Sequence, residues 1–405
     1  MPLQERSRCC RAAGAFFVET WLFVAAGCGG VEPPTQPATS PPAAPWLIES
    51  TQSFGLEFVH QAGEPLRYEM PQIMGSGCGL LDFDGDGRLD LYLVDGEASQ
   101  RGGRRDGLFR RGNDQTFVEA TDAAGIRNDG YGMGVAVADF DNDGFSDLYV
   151  SSYGPDQLFR NNGDGTFADV TETAGIVAPG WGTAVCFSDY DRDGLLDLFV
   201  VHYVDYLPGQ YCEDRSGRRD FCAPGVYLGT ADRLYRNEGD GRFVDVTSAV
   251  GLDVDLGKGL GVACDDFNTD GRPDFYVAND MEENHLWIQQ PDGTFRNEAI
   301  LRGAAVSAMG ESQAGMGVVS ADLTNDGRRD LFLTHLRGET NTLYVSSEGG
   351  FFTDGTANSG LGPNSRPATG FGVAAVDLRH DGRLDVLVAN GRVLRGPRVP
   401  GANSE

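Results

Sequence analysis

The feature that most constrains this chain is a nine-residue stretch, Asp139-Phe140-Asp141-Asn142-Asp143-Gly144-Phe145-Ser146-Asp147, which recurs along it in one register. Carboxylates stand at positions one, three, five and nine, with glycine at six. Alternate carboxylates on a tightly turning backbone converge on one point, and glycine permits the turn. A hard cation such as Ca²⁺ takes roughly six to eight oxygens, and the carbonyl of position seven would add another.

The same register gives Asp82, Asp84, Asp86, Gly87, Asp90 and then Asp189, Asp191, Asp193, Gly194, Asp197. These three copies are complete. Asp266, Asn268, Asp270, Gly271, Asp274 keeps an oxygen at position three, and Asp322, Thr324, Asp326, Gly327, Asp330 has a hydroxyl there. The last copy, Asp377, Arg379, Asp381, Gly382, Asp385, carries a guanidinium where a ligand belongs. Arg379 is placed to neutralise the carboxylates in place of a metal.

An EF-hand loop needs a glutamate at its twelfth position and flanking helices. The twelfth residues here are Leu93, Val150 and Val200, within apolar runs such as Asp147-Leu148-Tyr149-Val150 that suit strands. The loops are therefore expected inside β-hairpins, between the first and second strands of each unit. Plain Asp- and Gly-rich turns are the alternative.

Loop starts at 82, 139, 189, 266, 322 and 377 give steps of 57, 50, 77, 56 and 55, the size of a propeller blade. Each unit orders a Gly-rich strand, the loop, an apolar strand, a third strand, a tight turn and a fourth strand. Leu158 to Phe167 aligns with Leu234 to Phe243, and the Asp-Gly pairs within them are hairpin turns. The expected fold is all-β, a β-propeller of four-stranded blades. Residues Phe54 to Gly63 are expected to be an orphan fourth strand, and the last unit to stop after its second strand, Leu384 to Ala389. Pairing these two ends would close a six-unit ring and remove exposed sheet edges. The 77-residue step holds an insertion, Tyr203 to Gly229, between second and third strands. A second excursion, Ala98 to Gly107, adjoins an arginine cluster, Arg101, Arg104, Arg105, Arg110 and Arg111, expected to be a solvated loop.

Arg6, Arg8 and Arg11 precede an apolar segment that ends Ala25-Ala26-Gly27-Cys28, so residues 1–28 have the layout of an export signal. The ending resembles a bacterial lipoprotein signal, with Cys28 as the lipidated residue; a plain cleaved signal or a misassigned start codon is the alternative. A Pro-rich tether follows over 29–49, then a propeller over 50–395 and a tail over 396–405. No other stretch is apolar enough to span a membrane. Cys78, Cys186 and Cys264 are expected to be buried free thiols. Cys212 and Cys222 bracket a polar segment in the insertion, where a disulfide is favoured over a metal pair because no nearby His or Cys completes a zinc set.

The repeated loop, together with the Asn-x-Gly-Asp-Gly-x-Phe turn, resembles the FG-GAP or VCBS repeats of integrin α-subunit propellers. The similarity is nearest to the secreted proteins grouped with cartilage acidic protein and the bacterial UnbV-like proteins, and Cys222-Ala223-Pro224 also resembles that group. The resemblance implies loops that bind Ca²⁺ and a propeller used as a binding scaffold, commonly seven-bladed. Six blades and seven both remain open.

The formal charge of −28 repels a phosphate backbone and argues against nucleic acid as a partner. The five histidines, His60, His202, His285, His335 and His380, show no metal-ligand spacing, and no Ser, Cys or Lys stands in a nucleophile motif. The expectation is a non-enzymatic, exported scaffold for a protein or glycan partner, outside the cytoplasm and touching a membrane only through its lipid anchor. The alternative is a polysaccharide-acting enzyme, for which Asp280, Glu282, Glu283 and His285 form the most polar local cluster.

Overall fold

The computed structural model describes residues 47–64, 67–96, 106–128 and 130–393. The signal, Cys28, most of the tether, Arg101, Arg104, Arg105 and the C-terminal tail lie outside these. Contacts divide the chain into Met1–Glu49 and Ser50–Glu405, and every described strand belongs to the second unit.

The strands form successive antiparallel sheets. The first joins Cys78–Leu81, Asp90–Leu93, Gly107–Arg111 and Phe117–Glu119, and the second Tyr131–Ala138, Asp147–Tyr153, Gln157–Asn161 and Phe167–Asp169. The third joins Gly182–Ser188, Asp197–His202, Arg233–Asn237 and Phe243–Asp245. The fourth contains Gly259–Asp265, Asp274–Glu282, His285–Gln289 and Phe295–Asn297, with a fifth short strand, Gln313–Ala314, added beside Asp274–Glu282. The fifth contains Val318–Ala321, Asp330–Leu333, Thr342–Ser347 and Phe351–Asp354. The sixth pairs Thr369–Val376 with Asp385–Gly391. The first strand of each sheet contacts the first strand of the next, so the sheets are the blades of a β-propeller.

Apolar cores sit between blades. Leu81, Phe83 and Tyr92 of the first meet Leu148, Val150 and Phe167 of the second, while Tyr190 and Phe199 of the third meet Phe275, Trp287 and Phe295 of the fourth. The second residue of each of the first four loops supplies an aromatic ring to this boundary. Phe83 meets Phe167 at 6.2 Å between centroids, Phe140 meets Phe243 at 5.7 Å, Tyr190 meets Phe295 at 6.2 Å and Phe267 meets Phe352 at 6.2 Å. Such pairs add roughly 0.5–1.5 kcal/mol beyond area burial.

Three expectations need correction. Residues Thr51–Gly55 form a turn and 56–63 are irregular, so Phe54 to Gly63 is not a strand. Phe54 occupies the place of Ala124 and Ala174: its carbonyl accepts the N–H of Phe117 at 2.7 Å, as theirs accept those of Phe167 and Phe243. Closure by pairing the two ends is not found, since among the described residues the sixth sheet keeps two strands and residues 50–63 join no sheet. The free cysteines are also less enclosed than expected. Cys186 and Cys264 are half-buried, and Cys78 is exposed where it opens its strand ahead of the core that begins at Leu81.

The insertion does lie between second and third strands, and its Cys212 and Cys222 form a disulfide. It folds onto the segment before the first sheet: Arg219 donates to the carbonyl of Arg67 at 2.6 Å and lies 5.5 Å from the Tyr68 ring centroid. Met70, Met133, Trp181, Tyr203 and Tyr227 pack together beneath this cap. The cap lies where second strands end, so it covers the face opposite the acidic loops. No helix among the described residues is long and apolar enough to cross a membrane.

Candidate metal centres

All six loops connect the first strand of a blade to its second, as expected. Position nine is the first residue of the second strand and pairs with the residue just before position one, as in Ala138 with Asp147 and Ser188 with Asp197. The turn is set by two left-handed residues. Glycine fills position six throughout, at φ 91° for Gly144 and 90° for Gly194. Position four is also left-handed at Gly85, Asn142, Arg192, Thr269, Asn325 and His380, which is costly for a β-branched residue such as Thr269.

The first carboxylate organises the turn. Asp139 accepts the N–H of Asp143 at 3.0 Å and of Gly144 at 2.9 Å, and Asp82, Asp189, Asp266, Asp322 and Asp377 make the same two bonds. The fifth then accepts the N–H of position seven, at 2.9 Å for both Asp143 and Asp193. The ninth is buried and ties the loop to its sheet. Asp147 accepts from Phe140 at 3.1 Å and from Asn161 on the third strand at 2.7 Å, and Asp197 accepts from Tyr190 and Asn237 at 3.0 and 2.8 Å. Asp90, Asp274 and Asp330 repeat this clamp.

Three loops gather carboxylates closely enough to share an ion. One oxygen from each of Asp82, Asp84 and Asp86 lies within 4.8 Å of the others, and so do those of Asp139, Asp141, Asp147 and of Asp189, Asp191, Asp197. The donor set is hard oxygen throughout, suited to Ca²⁺. Asp84 Oδ1 and Asp141 Oδ1 are buried with no hydrogen-bond partner, which a coordinated cation would supply. Burial, helped by the charges of Asp141 and Asp143, pushes the Asp147 carboxyl up to about 7. Burial does the same at Asp197 and Asp274, both to about 7. Asp141 and Asp191 are raised too, by burial and then by Asp143 and Asp193.

The other loops differ in their internal cations. Arg88, Arg272 and Arg328, at position seven, hydrogen-bond the carboxylates of Asp86, Asp270 and Asp326. Asn268 is turned toward its own loop, donating to Asp270 at 2.9 Å. Asp266, Asp270, Asp274 and Asp322, Asp326, Asp330 form no shared carboxylate site among the described residues. In the sixth loop Arg379 Nη2 lies 3.0 Å from Asp385 Oδ1 and its Nε 3.5 Å from Asp381 Oδ2, as the position-three guanidinium led one to expect. The second and third loops alone combine four carboxylates with no arginine in salt-bridge reach among the described residues.

Residues 82–150, 139–200, 266–333 and 322–388, more than half of the chain, match the FG-GAP-like repeat. The chain belongs to this FG-GAP-like repeat family. It is 30% identical over 169 residues to cartilage acidic protein 1 of Xenopus tropicalis, covering 40% of this chain and 26% of the relative. To the human protein it is 29% identical over 171 residues, 40% of this chain and 25% of that one. It thus spans about a quarter of the length of the curated relatives it matches. Among solved structures, an Agrocybe aegerita lectin described as recognising non-reducing terminal N-acetylglucosamine is similar at 18% identity and a TM-score of 0.40, over 77% of this chain and 73% of that one. The matched FG-GAP ranges leave out 201–265, which contains the disulfide-bearing insertion.

The position-seven arginines and the third-strand Asn161 and Asn237 escaped sequence reasoning. The available signals were the arginine shared at position seven of the first, fourth and fifth loops and the place of Asn161 and Asn237 at the head of the Asn-x-Gly-Asp-Gly turn.

Proposed function

We propose that this FG-GAP propeller is an exported binding scaffold, stabilised by Ca²⁺, that engages a protein or glycan partner. The observation that carries the reading is the convergence of Asp139, Asp141 and Asp147, with Asp141 Oδ1 buried and unpartnered, on a loop whose Phe140 carbonyl is bound by Asn237 of the next blade. A cation there offsets carboxylates that otherwise repel one another, and a ligand bound only by the folded state stabilises that state. Asp139, Asp141, Asp143 and Asp147, and Asp189, Asp191, Asp193 and Asp197, would hold it, and then Asp82, Asp84 and Asp86. The metal's part is structural, so recognition falls to other surfaces. The Cys28 signal supports export and lipid anchoring.

The test exposes the immobilised chain to native envelope extract and to a glycan array, with calcium and with chelator. A partner retained only with calcium is expected; no partner in either arm removes the scaffold reading, and glycan turnover abolished by Glu282→Gln would replace it with an enzyme. Fractionation of wild type and Cys28→Ser tests the anchor, with only the wild type expected in membranes.

A further inference from the structure

Lys258 is the sole lysine of 405 residues, against 31 arginines. It is also buried, with its side chain 9% exposed, and its ammonium lies 2.7 Å from Glu282 Oε1. A long flexible amine is rarely enclosed in this way. Around it stand groups from distant parts of the chain. Asp280 donates its N–H to the Lys258 carbonyl at 2.8 Å, and its carboxylate accepts the hydroxyl of Tyr203, from the insertion, at 2.6 Å. Asp280 pairs with Ala314 of the added fifth strand, and the Ala314 N–H is bound by Glu339 at 3.0 Å. Met281, between the two carboxylates of its strand, is held left-handed at φ 60° where the pairing slips.

Several enclosed polar atoms here lack partners. Asn279 Oδ1, His285 Nδ1 and Trp181 Nε1 are buried and make no hydrogen bond, in residues 0%, 6% and 1% exposed. Asn279 and His285 lie against Gly257, next to Lys258: a Cβ there would come 2.6 Å from Asn279 Oδ1 and 2.8 Å from His285 Cε1. Trp181 packs edge-on against Tyr203 at 5.2 Å. Unsatisfied buried groups are costly unless a ligand or water meets them.

We propose that Tyr203, Lys258, Asp280, Glu282, Glu339 and His285 form a binding site for a neutral carbohydrate on the face opposite the metal loops. This rests on the scaffold reading and gives it a place and a ligand class. A sugar offers vicinal hydroxyls that both donate and accept, matching carboxylates interleaved with an ammonium and a phenol. Three carboxylates against one ammonium disfavour acidic sugars. Lys258 engages Glu282, the Tyr203 hydroxyl engages Asp280 and the Ala314 N–H engages Glu339, and among the described residues these carboxylates do not gather closely enough to share an ion. Burial and the adjacent Glu339 charge raise the Asp280 carboxyl to about 6.

The sole lysine makes the test direct. An N-hydroxysuccinimidyl acetate pulse on the full chain in calcium, read by mass spectrometry, times acetylation at Lys258 with and without malto-, cello-, xylo-, laminari- and mannohexaose, and with polygalacturonate as the acidic control. At least one neutral hexaose is expected to slow Lys258 acetylation fivefold or more. Tyr203→Phe and Glu282→Gln, each compared at a temperature where its urea unfolding curve shows it fully folded, should weaken its affinity tenfold or more by calorimetry. Calorimetry alone decides if the amine reacts too slowly to time. No protection and no affinity for any hexaose, equal affinity in both variants, or protection by polygalacturonate alone overturns the proposal. A calcium-dependent envelope partner found alongside such a failure leaves the scaffold reading standing; no partner at all removes both.

Discussion

Asn237 reaches back across a blade boundary and donates through Nδ2 to the carbonyl of Phe140, 2.8 Å away, while its own backbone N–H donates to Asp197 at 2.8 Å. One buried residue thus ties the second acidic loop to the clamp of the third. Asn161 does the same between Phe83 and Asp147, and Gln289 between Tyr190 and Asp274. The second residue of each of the first three loops is gripped twice by the next blade, through its ring and through its carbonyl.

Asn237→Ala removes that reach and leaves the Phe140 carbonyl buried without its partner. The expected loss is about 1–3 kcal/mol, the cost of one unsatisfied buried group. Urea unfolding of wild type and variant in excess calcium measures it. Calcium binding should weaken as well, because the second loop loses its hold on the third blade. An unchanged midpoint would show that the bond does not couple the blades.

Removing calcium should lower the melting temperature. A ligand held at 100 times its Kd stabilises by about 2.7 kcal/mol per site. Asp141→Ala should reproduce part of that loss. The effect also depends on pH. In the metal-free fold, burial raises Asp147 and Asp197 to about 7, so calcium must displace protons from them below that value. The increment in melting temperature given by calcium should therefore shrink from pH 8 to pH 6, with proton release visible by calorimetry in two buffers. A constant increment would remove these carboxylates from the ligand set.

The blades were legible because one loop grammar, with its following β-branched and aromatic strand, repeats at blade spacing. The termini were not. Phe54 imitates the start of a fourth strand, yet it sits where Ala124 and Ala174 sit, in the turn that follows one. The left-handed fourth loop position was hidden because Gly85, Asn142, Arg192 and Thr269 share no chemistry, only a backbone demand. Asp280, Glu282 and His285 drew notice as a local cluster, while Tyr203, Lys258 and Glu339 join them only through the insertion and the added strand. Glu283, grouped with them in sequence, has an exposed side chain.

Asp156 gives a second pH dependence, separate from metal. It is buried and accepts the N–H of Ser152 and the hydroxyl of Tyr149, both at 2.7 Å. Burial pushes it from 3.8 to about 7. The folded state therefore holds this proton more tightly than the unfolded one, and the stability so gained is lost as pH rises from about 4 through about 7. Asn284 and Asn341 serve the same backbone role in the fourth and fifth blades. Asp156→Asn should consequently be tolerated and gain on the wild type by about 1–3 kcal/mol between pH 5 and pH 8. Parallel urea midpoints across that range would contradict it.

Arg379 makes the sixth loop a contrast to the second. Its guanidinium reaches Asp385 and Asp381 from the position where Asp141 points into its own loop, so a chain-borne cation supplies the neutralisation. The sixth loop should then bind no calcium, and Asp381→Ala should leave the number of bound ions unchanged where Asp141→Ala lowers it by one. These ion pairs are partly exposed, so Arg379→Ala should cost no more than about 1 kcal/mol. Arg379→Asp restores the full carboxylate grammar and should add one calcium per chain, counted by equilibrium dialysis with elemental analysis, and make the sixth blade sensitive to chelator. An unchanged count in Arg379→Asp, or a lower one in Asp381→Ala, would mean that the arginine does not stand in for the ion.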